Sequence, residues 1–418
     1  MIDLRRLRDD EEYRQGAVAK GIDADVIDRV LKLDEAHRGA RTETESLRAE
    51  SNAASKEIGR AAPAEREAKI AAAGELKTRL TAAEEALAPV EAELNELALT
   101  IPNPAHESVP VGDEEDFRTE KVVGETASPP PFSHGELGEH LGIVDTERAV
   151  RMSGSRFAYI LGDAVRLQFA LVQYAIDKIS AHGFVPVVTP VLVREEMMEL
   201  AGFFPTDRNQ VYALEADELY LIGTSEVALA GLHRQEVLDE GDLPVRYAGY
   251  SSCFRREAGT YGKDTSGLFR VHQFDKVEMF SYAHPDRSWD ELELLRSLQE
   301  EIVGGLDLPY RVITVASKDL GAPAAKKYDL EVWLPSEQRY REVTSCSNYT
   351  DFSARRMSTR MRTEGGGNVL VHTLNGTACA IGRTLLYIFE NHQQPDGTVT
   401  VPEVLRPYCG GLEAIGPR

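Results

Sequence analysis

The chain has 418 residues, a net charge of −22 and 42% hydrophobic residues, so it exceeds one ordinary domain and can bury a sizeable core. So acidic a protein does not coat nucleic acid, because phosphates repel it, although a local basic stripe is not excluded. No run approaches the ~18 apolar residues of a membrane span. Four cysteines, Cys253, Cys346, Cys379 and Cys409, lack the paired spacing of a disulfide framework or a zinc knuckle, which makes a reducing cytosol the simplest home.

The opening MIDLRRLRDDEEYR has arginines but no apolar segment after them, and does not read as a signal peptide. From about Ile22 to Leu97 the chain is rich in Ala, Glu, Lys, Arg and Leu, without Phe, Tyr or Trp. Val26, Val30, Leu33, His37, Ala40, Thr44, Leu47, Ser51, Ala54 and Ile58 alternate by four and three. Ile70, Ala73, Leu80, Ala83, Leu87, Val90, Leu94 and Leu97 do much the same, with a kink expected at Pro89. Ile58-Gly59-Arg60 followed by Pro63 reads as a stop, a reversal and a proline in the first turn of a new helix. The pattern predicts an antiparallel two-helix coiled coil over about 26–97, each helix of ~33 residues reaching ~50 Å. Its outer half carries Lys56, Arg60, Arg66, Lys69, Lys77 and Arg79.

Residues 111–132, with GDEEDF and Pro129 to Pro131, read as a linker between an N-terminal domain over 1–110 and a body over 133–418. Phe157 to Ala181 is expected as a long amphipathic helix, and HGFVPVVTPVLV as a strand that Pro186 and Pro190 confine to an edge or an interface. Leu219 to Ile222 reads as a strand before Gly223-Thr224-Ser225-Glu226 and a helix through Val237; taken alone, Thr224 and Glu226 could simply cap that helix. Tyr247–Phe254 and Gln273–Tyr282 read as strands of a hairpin whose loop is broken by Gly259, Gly262 and Gly267. By strand alternation Phe274, Lys276 and Glu278 share one face, with Val271, Asp275 and Val277 toward the other. Arg255, Glu257 and Arg270 flank this hairpin; taken alone, such charges favour a solvated surface hairpin, since exposed ion pairs are common and contribute little.

Ser288 to Val303 reads as a scaffold helix, followed by strand-like pieces at Arg311–Ala316, Lys327–Leu334 and Glu342–Ser345. Glu342 and Ser345 offer a carboxylate and a hydroxyl, hard oxygens suited to a magnesium ion shared with phosphates, though the spacing alone is ordinary and by itself favours a surface strand end. At the C-terminal end, Asn368 to Thr373 reads as a strand, Asn375-Gly376 as a turn, and Ala378 to Asn391 as an amphipathic helix. Arg383 lies near the start of that helix, where a cation gains nothing from the dipole, so its placement wants another explanation, such as a bound anion.

GTSEVAL, FRREAG, HQFDKVEMF, EVTSCSN and LNGT occur together, in order, from Gly223 to Thr377, behind a helical arm. With TPVLV at Thr189 to Val193, the set resembles the three motifs of class II aminoacyl-tRNA synthetases, and more narrowly the bacterial-type seryl-tRNA synthetase family. The lack of a Cys/His cluster sets it apart from the zinc-dependent, archaeal-type branch. The resemblance implies an α+β fold: a coiled-coil arm plus a catalytic domain on a mainly antiparallel sheet flanked by helices. It implies activation of L-serine with ATP and transfer to tRNA(Ser), gripped by the arm, and to tRNA(Sec) where one is present. It also implies a homodimer through the Phe157–Val193 region of a cytoplasmic enzyme.

Residue by residue, the resemblance implies that Arg255 holds the α-phosphate and the serine carboxylate, and that Arg383 holds the γ-phosphate with help from Arg270, making these two arginines the catalytic pair at Arg255 and Arg383. Phe274 and Arg383 would sandwich adenine, with Glu257 and the Val271 backbone at its edge. Arg256, Val343 and Thr344 complete the expected ATP site, and Glu342 and Ser345 would hold Mg2+. Thr224, Ser225, Glu226, Arg255, Glu278 and Thr377 would surround serine. His272 reads as a structural hydrogen-bonder, and Arg256 and Gly376 decide nothing. An inactive synthetase-like tRNA-binding or regulatory paralogue would be expected to lack Arg255, Glu278 or Arg383, and an enzyme loading a carrier protein would lack the arm.

Overall fold

The computed structural model describes residues 2–258 and 268–417. The glycine-broken loop expected around Gly259, Gly262 and Gly267 therefore lies outside the described residues. The chain forms two compact units, Met1–Pro104 and Ala105–Arg418.

In the first unit, α1 (Leu4–Asp9) and α2 (Glu11–Ala19) precede α3 (Ala24–Arg60) and α4 (Pro63–Thr100). Asp3 caps α1 through the Arg5 and Arg6 amides, and Asp10 caps α2 through that of Tyr13. Leu7, Tyr13, Ala17, Ile27, Val30, Leu94 and Ala98 are buried at the base, where each large apolar side chain contributes ~1.5–3 kcal/mol. At 37 and 38 residues, α3 and α4 outrun the expected length and reach ~55 Å. The seam follows the expected fours and threes through Val30, Leu33, Thr44, Leu47 and Ile58, and Thr44 satisfies its hydroxyl on the Ala40 carbonyl at 2.8 Å. One position differs. Ile70 is exposed, while Lys69 turns toward the seam and pairs with Glu57 at 3.2 Å. Pro89 sits inside α4 without ending it. The pairs Arg29–Glu93, His37–Glu91, Arg48–Glu84 and Glu57–Lys69 step up one helix and down the other, which fixes the antiparallel register more than it stabilises the hairpin.

The second unit is built on an eight-stranded sheet. Its strands are β1 (Arg118–Val123), β2 (Val185–Val188), β3 (Val245–Phe254), β4 (Gln273–Ala283), β5 (Tyr310–Thr314), β6 (Lys326–Leu334), β7 (Arg339–Asn348) and β8 (His372–Ala380), in the order β1-β5-β6-β7-β8-β4-β3-β2. Every pairing is antiparallel except β2 with β3. On β4, Val277 and Met279 enter a core shared with α5 (Asp163–Ser180), α6 (Ser288–Gly305) and α7 (Ile381–Asn391). Phe280 and Tyr282 enter a second apolar cluster with Met198, Val227 and Leu229. Lys276 and Glu278 share the face of Phe280 and Tyr282, and that face carries the site.

Several expected elements are redrawn. Residues 111–132 are no bare linker, since β1 pairs with β5 at the sheet edge. The helix expected from Phe157 starts only at Asp163, after Gly162 at φ 58°, and Tyr159–Ile160 is a short strand. HGFVPVVTPVLV splits at Thr189-Pro190: β2 with Pro186 lies at the edge of the large sheet, and Leu192–Arg194 joins a small one. The helix after Glu226 ends at Ala230, and Val237–Asp239 is a strand. Asn375-Gly376 is not a turn but the middle of β8, and α7 begins at Ile381 rather than Ala378. Here β8 is hydrogen-bonded between β4 and β7, and this pairing on both sides overrides the turn preference of Asn-Gly. Gly376 has a packing reason too: a Cβ there would lie 2.8 Å from the Cys346 Cβ.

Candidate active site

A cavity of about 330 Å³ opens on the face of the sheet that bears Phe274, Lys276 and Glu278 of β4. Around it stand Arg255 from the end of β3, Glu342 and Ser345 of β7, Thr377 of β8 and Arg383 in the first turn of α7. Thr224, Glu226, Glu257, Arg270, Val271 and Val343 complete the share of the expected site that lines this space. Val271 precedes β4, so the strand alternation that put it on the opposite face does not apply to it.

Two irregularities of the sheet bring distant side chains together. Residues three apart on a regular strand point to opposite faces, yet Glu342 and Ser345 both face the cavity. Val343 is an extra residue in β7: Leu330 pairs with Thr344 and Glu331 with Glu342, so the bulge turns both oxygen donors the same way. In β8, Ala378 is the extra residue, and the shift sets Thr377 opposite Glu278. The Gln299 amide of α6 secures both places from behind, donating to the Ser345 carbonyl at 2.7 Å and the Thr377 carbonyl at 2.9 Å.

At one end of the cavity is a small polar nest. Thr377 Oγ1 donates to Glu278 at 3.2 Å, and the Lys276 ammonium reaches Thr224 Oγ1 at 2.7 Å, Thr377 Oγ1 at 3.4 Å and the Glu278 carboxylate. Thr224 thus receives a buried lysine as well as the Glu226 amide at 3.3 Å, which is more than a helix cap does. Glu226 is buried, and desolvation together with the nearby Glu278 pushes its carboxyl up to about 7.

Cations dominate the other end. Arg383 donates to the Glu342 carbonyl at 3.2 Å, and Arg270 pairs with Glu257 at 2.9 Å. Loss of solvent opposes the Glu342 charge, but Arg383, Lys327, Arg255 and Lys276 hold its carboxyl below the usual range. The Arg255 guanidinium lies 5.3 Å over the Phe274 ring, and that of Arg383 lies 5.0 Å over Phe269. Glu257 sits at φ 48°, a strained setting for a residue with a Cβ, held by Arg270 and by the Arg156 bond to its carbonyl at 3.1 Å. Arg255 is fixed through its backbone: its amide donates to the His272 carbonyl at 3.0 Å, and the His272 ring meets its carbonyl at 2.9 Å. His272 is therefore a structural partner of the loop that carries Arg255.

Three expected residues lie off the cavity. Ser225 is buried with its hydroxyl toward Gly249, where a Cβ would come within 3.1 Å of it; Thr344 is buried on the other side of the bulge; Arg256 is exposed. A polar groove of about 790 Å³ adjoins the cavity and shares Phe269, Arg270, Lys327, Glu342 and Arg383 with it. Converging cations beside an aromatic ring suit a nucleotide with a phosphate tail, and the small nest suits a small zwitterion. Glu342 and Ser345 present a carboxylate and a hydroxyl to the cavity, hard oxygens of the type that could hold a magnesium ion.

Comparison with known proteins agrees with this arrangement. The family model described as seryl-tRNA synthetase N-terminal domain matches residues 1–105, and that described as tRNA synthetase class II core domain (G, H, P, S and T) matches residues 210–392. The serine–tRNA ligase of Mycobacterium avium is 49% identical to this chain, with 100% of each chain covered. The chain belongs to the seryl-tRNA synthetase family. Serine–tRNA ligase 1 of Streptomyces avermitilis is 48% identical over 100% of this chain and 99% of its own. Among solved structures, the seryl-tRNA synthetase from Pyrococcus horikoshii complexed with ATP superposes with a TM-score of 0.92 at 38% identity, covering 100% of both chains. Every candidate residue of the synthetase cavity, from Thr224 to Arg383, falls within the matched core.

Four residues of the synthetase site were given no role from the sequence. Lys276 could have been weighed from its place between Phe274 and Glu278 on one strand face. Lys327, Tyr349 and Asn375 arrive from three separate segments, and only the assembled sheet brings them to the cavity.

Proposed function

We propose that this synthetase activates L-serine with ATP, releasing pyrophosphate, and transfers the seryl group from the adenylate to tRNA(Ser). The observation that carries the reading is the meeting of Arg255, Phe274, Lys276, Glu278, Glu342, Ser345, Thr377 and Arg383 in one cavity of a chain from this family. In the first step a serine carboxylate oxygen bonds to the α-phosphorus while the bond to the pyrophosphate oxygen breaks. The attacking group is already ionised, so positioning and charge neutralisation are the protein's work. Arg255 would hold the α-phosphate and the serine carboxylate in its planar fork, and Arg383 and Arg270 would neutralise the phosphate tail. Adenine would stack on Phe274, with Glu257 and the Val271 backbone at its edge. Glu342 and Ser345 would hold magnesium, which when bound supplies positive charge to the phosphate oxygens.

Serine would be read by Glu278 and Thr377 at its hydroxyl and by Glu226 and Thr224 at its ammonium. Alanine would leave the buried Glu278–Thr377 pair without the hydroxyl it is built for, and threonine would be refused by size. The arm would grip the tRNA by shape through Lys56, Arg60, Arg66, Lys77 and Arg79, all exposed along α3 and α4. Phe169, Val185 and Val188 are exposed on α5 and on edge strand β2, which supports a homodimer contact through the Phe157–Val193 region. Four buried, unpaired thiols suit a reducing cytosol.

Pyrophosphate exchange into ATP, measured with each proteinogenic amino acid in turn, tests the reading. Exchange is expected with serine alone. Exchange with none, or equally well with alanine or threonine, would overturn it. An inactive paralogue would show none, and the gathering of Arg255, Glu278 and Arg383 in one cavity speaks against that alternative.

A further inference from the structure

We infer that Tyr349 is a positioning residue for the serine ammonium: its phenol holds the Glu226 carboxylate in place in the cavity. The inference rests on the proposed serine reading and adds a residue to it. Glu226 is 6% exposed, and among the described residues no cation lies within ion-pair distance of it. Lys276 acts on it only through space, because its ammonium is committed to Thr224, Thr377 and Glu278. A buried carboxylate so placed is costly unless a cation or several donors meet it. The donors are side chains: the Tyr349 phenol and the Asn375 amide line the same cavity as Glu226 and both favour its carboxylate, and the Asn375 amide also favours the phenolate form of Tyr349. Asn375 Nδ2 is itself buried and has no full hydrogen-bond partner among the described residues.

Tyr349 is placed to hold rather than to react. It follows β7 directly, its amide donates to the Thr373 carbonyl at 2.9 Å, and its ring packs with Val109, Val315, Leu320 and Ala324. That packing fixes the phenol before any substrate arrives, so no ordering cost falls on binding. Burial, then the Glu226 charge, raises the phenol well above its ordinary range, so it stays a donor at working pH. The groups that face Glu226 are Glu278 and Lys276 from β4, Tyr349 from the end of β7 and Asn375 from β8. Burial and Glu278 favour its neutral form, whereas Lys276, Tyr349 and Asn375 favour the carboxylate. Serine's ammonium needs the carboxylate, so affinity falls as pH drops through about 7. Removing the phenol takes away one support of the charge and shifts this fall to higher pH.

The test is serine-dependent pyrophosphate exchange from acid to alkaline pH with the full-length wild type and Tyr349→Phe. Wild-type KM for serine is expected to rise as pH falls through about 7. Tyr349→Phe is expected to raise KM for serine roughly tenfold or more near neutrality, to begin its acid rise at higher pH, and to leave KM for ATP unchanged. Fluorotyrosine at position 349, a stronger donor of nearly the same shape, is expected to move the rise to lower pH, which keeps the test open should Tyr349→Phe fold poorly. A serine profile unmoved by either change overturns the role of Tyr349, as does a parallel rise in KM for ATP. No exchange by the wild type would instead overturn the serine reading itself.

Discussion

Arg255→Ala is expected to lower the rate of seryl-adenylate formation by roughly 10³-fold, at the top of the range for removing one preorganised charge partner from a transition state. Its guanidinium lies over Phe274 and lines the same cavity as Arg270 and Arg383, where the proposal brings both reacting anions together. The loss should fall on kcat, because the charge that Arg255 balances develops as the new P–O bond forms. Arg255→Lys should recover only part of the rate, since a point charge cannot bridge carboxylate and phosphate in one plane. The backbone of residue 255 is held by His272 on both sides, so the loop keeps its path in either variant. Rapid-quench measurement of adenylate formation reads the effect. A loss below tenfold with Ala would mean that Arg255 does not touch the reacting phosphate.

Removal of the arm should separate the two steps of the reaction. With Asp34 to Ala92 replaced by a short linker, serine-dependent exchange is expected to stay within about twofold of the full chain, while charging of tRNA(Ser) falls by at least roughly 100-fold. The join is feasible because Arg29 pairs with Glu93, so the two helices already run side by side where the linker would close them. Base residues such as Leu7, Ile27, Val30 and Leu94 remain in place. Loss of both activities would mean that the arm does more than hold RNA.

The arm was the most legible part of the chain because its two helices satisfy each other within about 75 residues of sequence. Its exceptions are local: Lys69, four residues before Ala73, takes the half-buried seam position in place of Ile70 and pairs with Glu57. The strands that bear Phe274 and Glu278 were legible for a similar reason, since a period of two shows directly which side chains share a face. Elsewhere, long-range pairing decided against local preference. Asn375-Gly376 reads as a turn until β4 and β7 claim both edges of β8. The spacing of Glu342 and Ser345 is ordinary in the sequence and would set them on opposite faces of a regular strand, and the bulge at Val343 is what turns both to the cavity. No pattern in a single sequence announces such a bulge. Ser225 and Thr344 were drawn in by their neighbours in matching motifs, yet each points away from the cavity as strand and turn geometry dictates.

The central claim is that residues scattered from Thr224 to Arg383 surround one nucleotide and one serine. A crystal structure of the full chain with a non-hydrolysable seryl-adenylate analogue tests it most directly. The account predicts the adenine ring against Phe274, the phosphate of the analogue on Arg255, and the seryl hydroxyl within hydrogen-bond distance of Glu278 or Thr377. An analogue bound with its adenine away from Phe274, or its seryl group outside the nest of Lys276 and Glu278, would contradict it.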